Sequence, residues 1–181
     1  MTPTARNLTG VWIGHYSQNN RPSPITAEFS HEGDRLTGSM SDGVTDRTSS
    51  VFEVASEAGL APGADERIVA SLRELLPDEP LAPISYVSHL PPGSLLAGSV
   101  EGPRVGFVKT YQGTAFGGYK VGDRFVVQED DAHRVNYRGT VAADGQEIEG
   151  RWWIDPDPET GSARVEGSFT LRREPEGGGP S

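Results

Sequence analysis

Six times this chain sets a glycine at the centre of a five-residue segment flanked by large apolar residues: "LTGVW" (Leu8–Trp12), "LTGSM" (Leu36–Met40), "LAGSV" (Leu96–Val100), "YRGTV" (Tyr137–Val141), "IEGRW" (Ile148–Trp152) and "VEGSF" (Val165–Phe169). In each, the apolar residues and the glycine share one parity, the alternation of a half-buried antiparallel strand. Glycine weakens a strand, because it loses backbone entropy and packs no side chain. Its recurrence on the inner face has a physical use: a sheet that closes on itself must bend sharply, and a missing side chain relieves crowding at the bends. Repetition on six segments points to repeated corners around a barrel.

Turn chemistry agrees. "HEGDR" joins "ITAEFS" to "RLTGSM", Asp144-Gly145 joins "RVNYRGTVA" to "EIEGRWWI", and "DPDPETG" joins "RWWI" to "SARVEGSFTLRR". Further strands are expected at "TSSVFEVAS", "RVGFVKTYQ" and "DRFVVQED". The expected fold is all-β: an antiparallel up-and-down β-barrel of about eight to ten strands with one inserted α-helix. Residues 1–173 form a single barrel domain, 57–92 a helical, proline-rich insertion, and 174–181 ("EPEGGGPS") a disordered tail. In the insertion, "ADERIVASLRELL" aligns Ile68, Val69, Leu72, Leu75 and Leu76 as one apolar stripe, with Asp65 as N-cap and Pro77 as terminator.

The first strand, "LTGVW", carries a Gly-x-Trp. Followed by a meander, it resembles the calycin group of lipocalins, fatty-acid-binding proteins and avidin-like barrels. "ITAEFSHEGDRLTGSM" is similar to the second and third strands of an avidin-like barrel. The resemblance implies that an Arg of the last strand, Arg172 or Arg173 in "TLRRE", packs over Trp12. It implies architecture and that contact, not a ligand: the polar ligand set of avidins is not recognisable here, and the 57–92 insertion is foreign to the pattern.

Composition narrows the function. The net charge of -10, with no Lys/Arg cluster to offset it, disfavours nucleic acid and anionic membranes as partners. Cysteine is absent, which excludes disulfides, thiol catalysis and cysteine-held metals. No apolar run approaches a membrane span and the N-terminus lacks the apolar core of a signal peptide, so a soluble, cytoplasmic protein is expected. His15, His31, His89 and His133 are dispersed, so no metal site is expected, and nothing implies a cofactor. There is no Gly-x-Ser-x-Gly elbow, phosphate loop or dinucleotide fingerprint.

Parity places Trp12, Phe29, Met40, Phe107, Tyr137, Trp152 and Phe169 inside, with Tyr16 inward and His15 outward. In "RVGFVKTYQ", Lys109 shares the inward parity of Phe107 and Tyr111. A buried ammonium needs a counter-charge, here expected from Glu53 or a ligand acid. The candidate ligand-binding residues are therefore Tyr16, Phe107, Lys109, Tyr111, Tyr137 and Trp152. "GTAFGGYKVG" reads as a mobile loop at the barrel mouth, with Phe116 and Tyr119 as gates. The expected function is binding of a small hydrophobic ligand, apolar or aromatic and perhaps acidic. The alternatives are a cofactor-independent cyclase or isomerase using the cavity, and a packed barrel whose helix docks a partner. Oligomeric state is not legible.

Overall fold

The computed structural model describes residues 7–50, 64–78, 84–130, 134–158 and 163–175. The expectations for Glu53, for the strand beyond Ser50, for much of the insertion and for the tail beyond Pro175 lie outside them. The elements run β1 (Gly10–Gln18), β2 (Arg21–Glu32), β3 (Arg35–Asp42), β4 (Asp46–Ser50), α1 (Ala64–Leu75), β5 (Ile84–His89), β6 (Gly93–Glu101), β7 (Arg104–Tyr111), β8 (Ala115–Val121), β9 (Arg124–Asp130), β10 (Arg134–Val141), β11 (Glu147–Ile154) and β12 (Val165–Arg173).

Eight of these strands close into an antiparallel barrel in the order β1-β12-β11-β10-β7-β6-β3-β2, and β2 returns to β1. The central glycines of all six segments fall on barrel strands, Gly10 as the first residue of β1. At Gly38, Gly98, Gly150 and Gly167 an added Cβ would land on a carbonyl oxygen of the neighbouring strand. In register each of these four faces an aromatic residue: Phe29, Phe107, Phe169 and Trp152, in that order. The neighbouring backbone thus comes in where the Cβ is missing, and a ring from an adjacent strand covers the gap: from the approaching strand at Gly38 and Gly98, and from the strand on the other side at Gly150 and Gly167. This device tightens sheet curvature. Gly139 is crowded less severely, its absent Cβ lying 2.8 Å from the Glu149 carbonyl oxygen. Gly10 departs from the expectation. Nothing lies near it, and its φ of 131° is what requires glycine. On β1 the crowded position is instead Gly14, opposite Leu171 of the closing strand β12 and outside the repeated pattern.

The barrel interior is filled. Trp12, Phe29, Met40, Phe107, Tyr137, Trp152 and Phe169 are all buried, as parity requires. Phe107 stacks on Tyr137 with centroids 4.8 Å apart, and Phe29 and Phe169 meet this pair edge-on. Each large apolar side chain so buried contributes roughly 1.5–3 kcal/mol relative to exposure. One end is plugged by Leu8, whose carbonyl accepts the Trp12 Nε1–H at 2.9 Å and whose amide donates to His31 Nδ1 at 3.2 Å. Of the two candidate arginines it is Arg173 that lies over Trp12, 5.0 Å from the ring, donating to the Asn7 carbonyl. Arg172 points outward to Glu147.

The other four strands form a separate sheet in the order β4-β5-β8-β9. "GTAFGGYKVG" is therefore strand β8 with its flanks and not a loop at the mouth. The sequence signal was misleading because Gly117 and Gly118 interrupt the alternation. Both lie under rings, Gly117 beneath Tyr86 and Gly118 beneath Phe125. Tyr119 packs in the second core and Phe116 stacks on His89, so neither gates the barrel. Helix α1 starts at Ala64, one residue before the expected cap, and lays Ile68, Leu72 and Leu76 on this sheet with Ile84, Tyr119, Val121 and Val126. Leu75 is off the stripe and 64% exposed. The second sheet and α1 thus share a small core of their own, a short arm that the chain enters after β3 and again after β7, returning to the barrel at β6 and at β10.

Replacing Gly150 by valine is expected to cost about 3 kcal/mol, since the backbone itself must move to admit a Cβ. Gly106→Ala on β7, where the nearest outside atom is 3.7 Å from the added Cβ, is the control and is expected to change stability by less than about 1 kcal/mol. Equal urea midpoints for the two variants would remove the close-approach account of the glycines.

Candidate functional site

Among the described residues the buried polar side chains are Ser23, Asp42, Ser94 and Lys109. They come from β2, β3, β6 and β7, four adjacent strands, and all sit toward the end of the barrel opposite the Leu8 plug. The local sequences explain this. "RLTGSMSD" carries Leu36, Gly38, Met40 and Asp42 on one parity, so the inward row of β3 ends on a carboxylate. "RVGFVKTY" ends its inward row with Lys109 and Tyr111.

Lys109 reaches across β6 to Asp42. Its Nζ donates to Asp42 Oδ1 at 2.7 Å, to Oδ2 at 2.6 Å and to the Tyr111 hydroxyl at 3.1 Å. All three ammonium protons are thereby used. Only 1% of either charged side chain reaches solvent. The counter-charge is Asp42, so the expectation of Glu53 or a ligand acid is corrected: the inward row of β3 already holds a carboxylate within reach. Burial pulls the Lys109 ammonium below the ordinary lysine range, against the opposing pull of the Asp42 charge and hydrogen bonds. Ser94 completes this wall, its Oγ donating to the Met40 carbonyl at 2.8 Å.

The facing wall is aromatic. Tyr16 of β1 meets Trp152 of β11 edge-on with centroids 5.7 Å apart, and Trp152 Nε1 donates to the Ser17 carbonyl at 3.1 Å. Tyr137 of β10 lies opposite Trp152 in register. The Tyr111 phenol is pushed well above the ordinary tyrosine range by burial first, then by the charge of Asp42 and the neighbouring Tyr137 and Tyr16. Tyr137 is raised by burial, then by Asp42 and Tyr16. Both phenols, protonated at neutral pH already at the ordinary tyrosine pKa of about 10, therefore stay protonated further into the alkaline range.

Of the six residues singled out from sequence, the structure brings Tyr16, Lys109, Tyr111, Tyr137 and Trp152 together, and Phe107 adjoins them, paired in register with Tyr137 and stacked on it. Sequence reasoning missed Asp42, Ser23 and Ser94. Parity was the available signal: Asp42 continues the Met40 row, Ser23 the Ile25 row and Ser94 the Leu96 row. The best-formed depressions lie on the outer wall of the barrel, not inside it. Among the described residues no three His, Asp or Glu side chains converge on a point, and no helix is long and apolar enough to cross a membrane. No family model, curated protein or solved structure matches the chain.

Lys109→Met leaves Asp42 buried without a counter-charge and is expected to cost about 3–5 kcal/mol. Adding Asp42→Asn should recover most of that loss in a urea titration; a single variant as stable as the wild type would show that the pair is not buried as described. The raised phenols carry a second expectation. A group whose folded pKa lies above its unfolded value stabilises below the unfolded value, about 10 for tyrosine, and that contribution is lost as pH rises past it. In an alkaline absorbance titration at least two of the five tyrosines should ionise only together with unfolding. Ionisation of all five in the folded protein would contradict the burial of this site.

Proposed function

We propose that the protein is a binding barrel for a small, mainly aromatic or apolar molecule carrying a neutral hydrogen-bond acceptor such as a carbonyl, seated at the polar end. The observation that carries this reading is the division of that end into two walls. Buried polar groups line β2, β3, β6 and β7, and Tyr16, Tyr137 and Trp152 face them from β1, β10 and β11. Small-molecule sites pair an apolar surface with a few convergent polar groups in a cavity. Both surfaces are present at this end, and because side chains fill the interior a ligand enters only as the rim residues Tyr16 and Tyr111 part. The ligand's charge follows from the same geometry. Lys109 and Asp42 neutralise each other and the Tyr137 phenol stays protonated, so the site offers a neutral donor without a free cation. That favours an uncharged acceptor over the acidic group that an unpaired lysine would have attracted. Tyr16, Ser23 and Tyr111 keep 7–9% exposure, more than most inward residues, and so mark the approach. The closed end, with Arg173 over Trp12 in the manner the calycin resemblance implies, supports placing the ligand at the opposite end.

Native mass spectrometry of the purified protein, with a thermal-shift comparison of aromatic ketones against matched aromatic acids, tests the reading. A co-purified neutral ligand, or stabilisation by ketones that Tyr16→Ala abolishes, is the expected result. No bound species and no shift from either class would reject it.

A further inference from the structure

We propose that the outer wall centred on Leu95 is a self-complementary surface that binds a second copy of this chain. Six strands meet there in one register row: Val11 of β1, Glu28 of β2, Ser39 of β3, Leu95 of β6, Thr110 of β7 and Arg134 of β10. Leu95 is 56% exposed and stands between two open depressions, both of which it lines. The first holds Glu28 and the second Arg134. Between these two charges the row is uncharged and its residues are small apart from Leu95. So are the outward neighbours along β3 and β6: Thr37, Ser41, Gly93 and Ala97. On a chain with net charge -10, a wall with so few charges is conspicuous.

The two charges commit the surface to a partner. Glu28 lies two strands to one side of Leu95 and Arg134 two strands to the other, each about 10 Å away at ordinary strand spacing. Two copies packed face to face about a two-fold axis parallel to the strands near Leu95 exchange left for right. Glu28 of each copy then faces Arg134 of the other, and each Leu95 can seat in a depression beside its counterpart. An axis perpendicular to the strands would set like charges together, so the charge pattern selects one orientation. The convex wall suits this arrangement: a short residue meets its partner at the centre and long side chains span the diverging flanks. Three register rows across six strands cover about 600 Å² per copy, near the small end of specific interfaces, so the dimer is expected to be weak and concentration-dependent.

Sedimentation equilibrium of the whole chain over a micromolar concentration series tests the proposal. The wild type should show a monomer–dimer equilibrium. Leu95→Lys, at an exposed position that leaves the core untouched, should weaken it at least tenfold. Glu28→Arg and Arg134→Glu should each weaken it, and the double exchange should restore it. A wild type that stays monomeric throughout, or a dimer indifferent to Leu95→Lys, overturns the proposal. A dimer that needs Leu95 but ignores the charge exchange overturns the two-fold orientation and with it the assignment of this surface. A circular dichroism melt of each variant separates loss of association from loss of fold.

Discussion

The structure depends on close approach between neighbouring strands at the glycines. Closing eight strands into a barrel this narrow forces backbones together at the bends, and at five positions, Gly14, Gly38, Gly98, Gly150 and Gly167, a single Cβ would fall on a neighbouring carbonyl oxygen. The aromatic ring opposite four of them offsets the loss of side-chain packing that glycine brings. Gly14 and Gly167 matter most for topology. They lie on β1 and β12, the first and last strands, and the pairing of those strands closes the sheet on itself. The other barrel contacts join strands near in sequence, or bring β3 to β6 and β7 to β10 across the arm.

The arm follows from that last feature. Between β3 and β6, and again between β7 and β10, the chain leaves the barrel and contributes two strands to the second sheet. Two excursions from one barrel end meet as β5 and β8, which pair across the gap. Helix α1 covers one face of this sheet, and the other face carries Phe116, stacked on His89, and Phe125. His89 Nδ1 lies 2.8 Å from Asp46, which ties β4 to β5 and holds the carboxyl below its ordinary range. The arm therefore has a core of its own that shares no residue with the barrel core.

Much of this was legible in the chain, and the failures have definite causes. Period-two parity identifies every large inward residue of the barrel, including Lys109, because a half-buried strand leaves no second solution for its apolar face. The partner of Lys109 was equally legible: Asp42 lies two residues beyond Met40 on the same face. It was passed over because it stands at a strand end, where polar residues usually signal a turn. Strand β8 was hidden for the opposite reason, since its paired glycines erase the alternation while the rings that cover them belong to other strands. Whether a strand joins the barrel or the arm is not a local property. "DRFVVQED" and "RVGFVKTYQ" have similar patterns, and only their partners distinguish β9 from β7.

The two ends of the barrel divide the energetics. At the plugged end, Leu8, Trp12 and Phe29 are apolar and fully enclosed, and Arg173 keeps its charge at the rim. That end supplies stability mainly through burial, with the Trp12–Leu8 and Leu8–His31 hydrogen bonds satisfying its polar groups. At the other end, a lysine and an aspartate are held out of water, an arrangement whose desolvation cost commonly equals or exceeds the attraction between the charges. A leucine and a methionine at the two positions would fold at least as well by that reasoning. The ion pair is thus not explained by stability. It is better explained by what it does to its surroundings. It fixes the Tyr111 hydroxyl through a third hydrogen bond, and the Asp42 charge adds to the burial that raises the Tyr111 and Tyr137 phenols above their ordinary range. A polar cluster held rigidly against aromatic rings is a costly thing to build into a barrel core, and its confinement to the end away from the plug is what the proposed binding reading rests on.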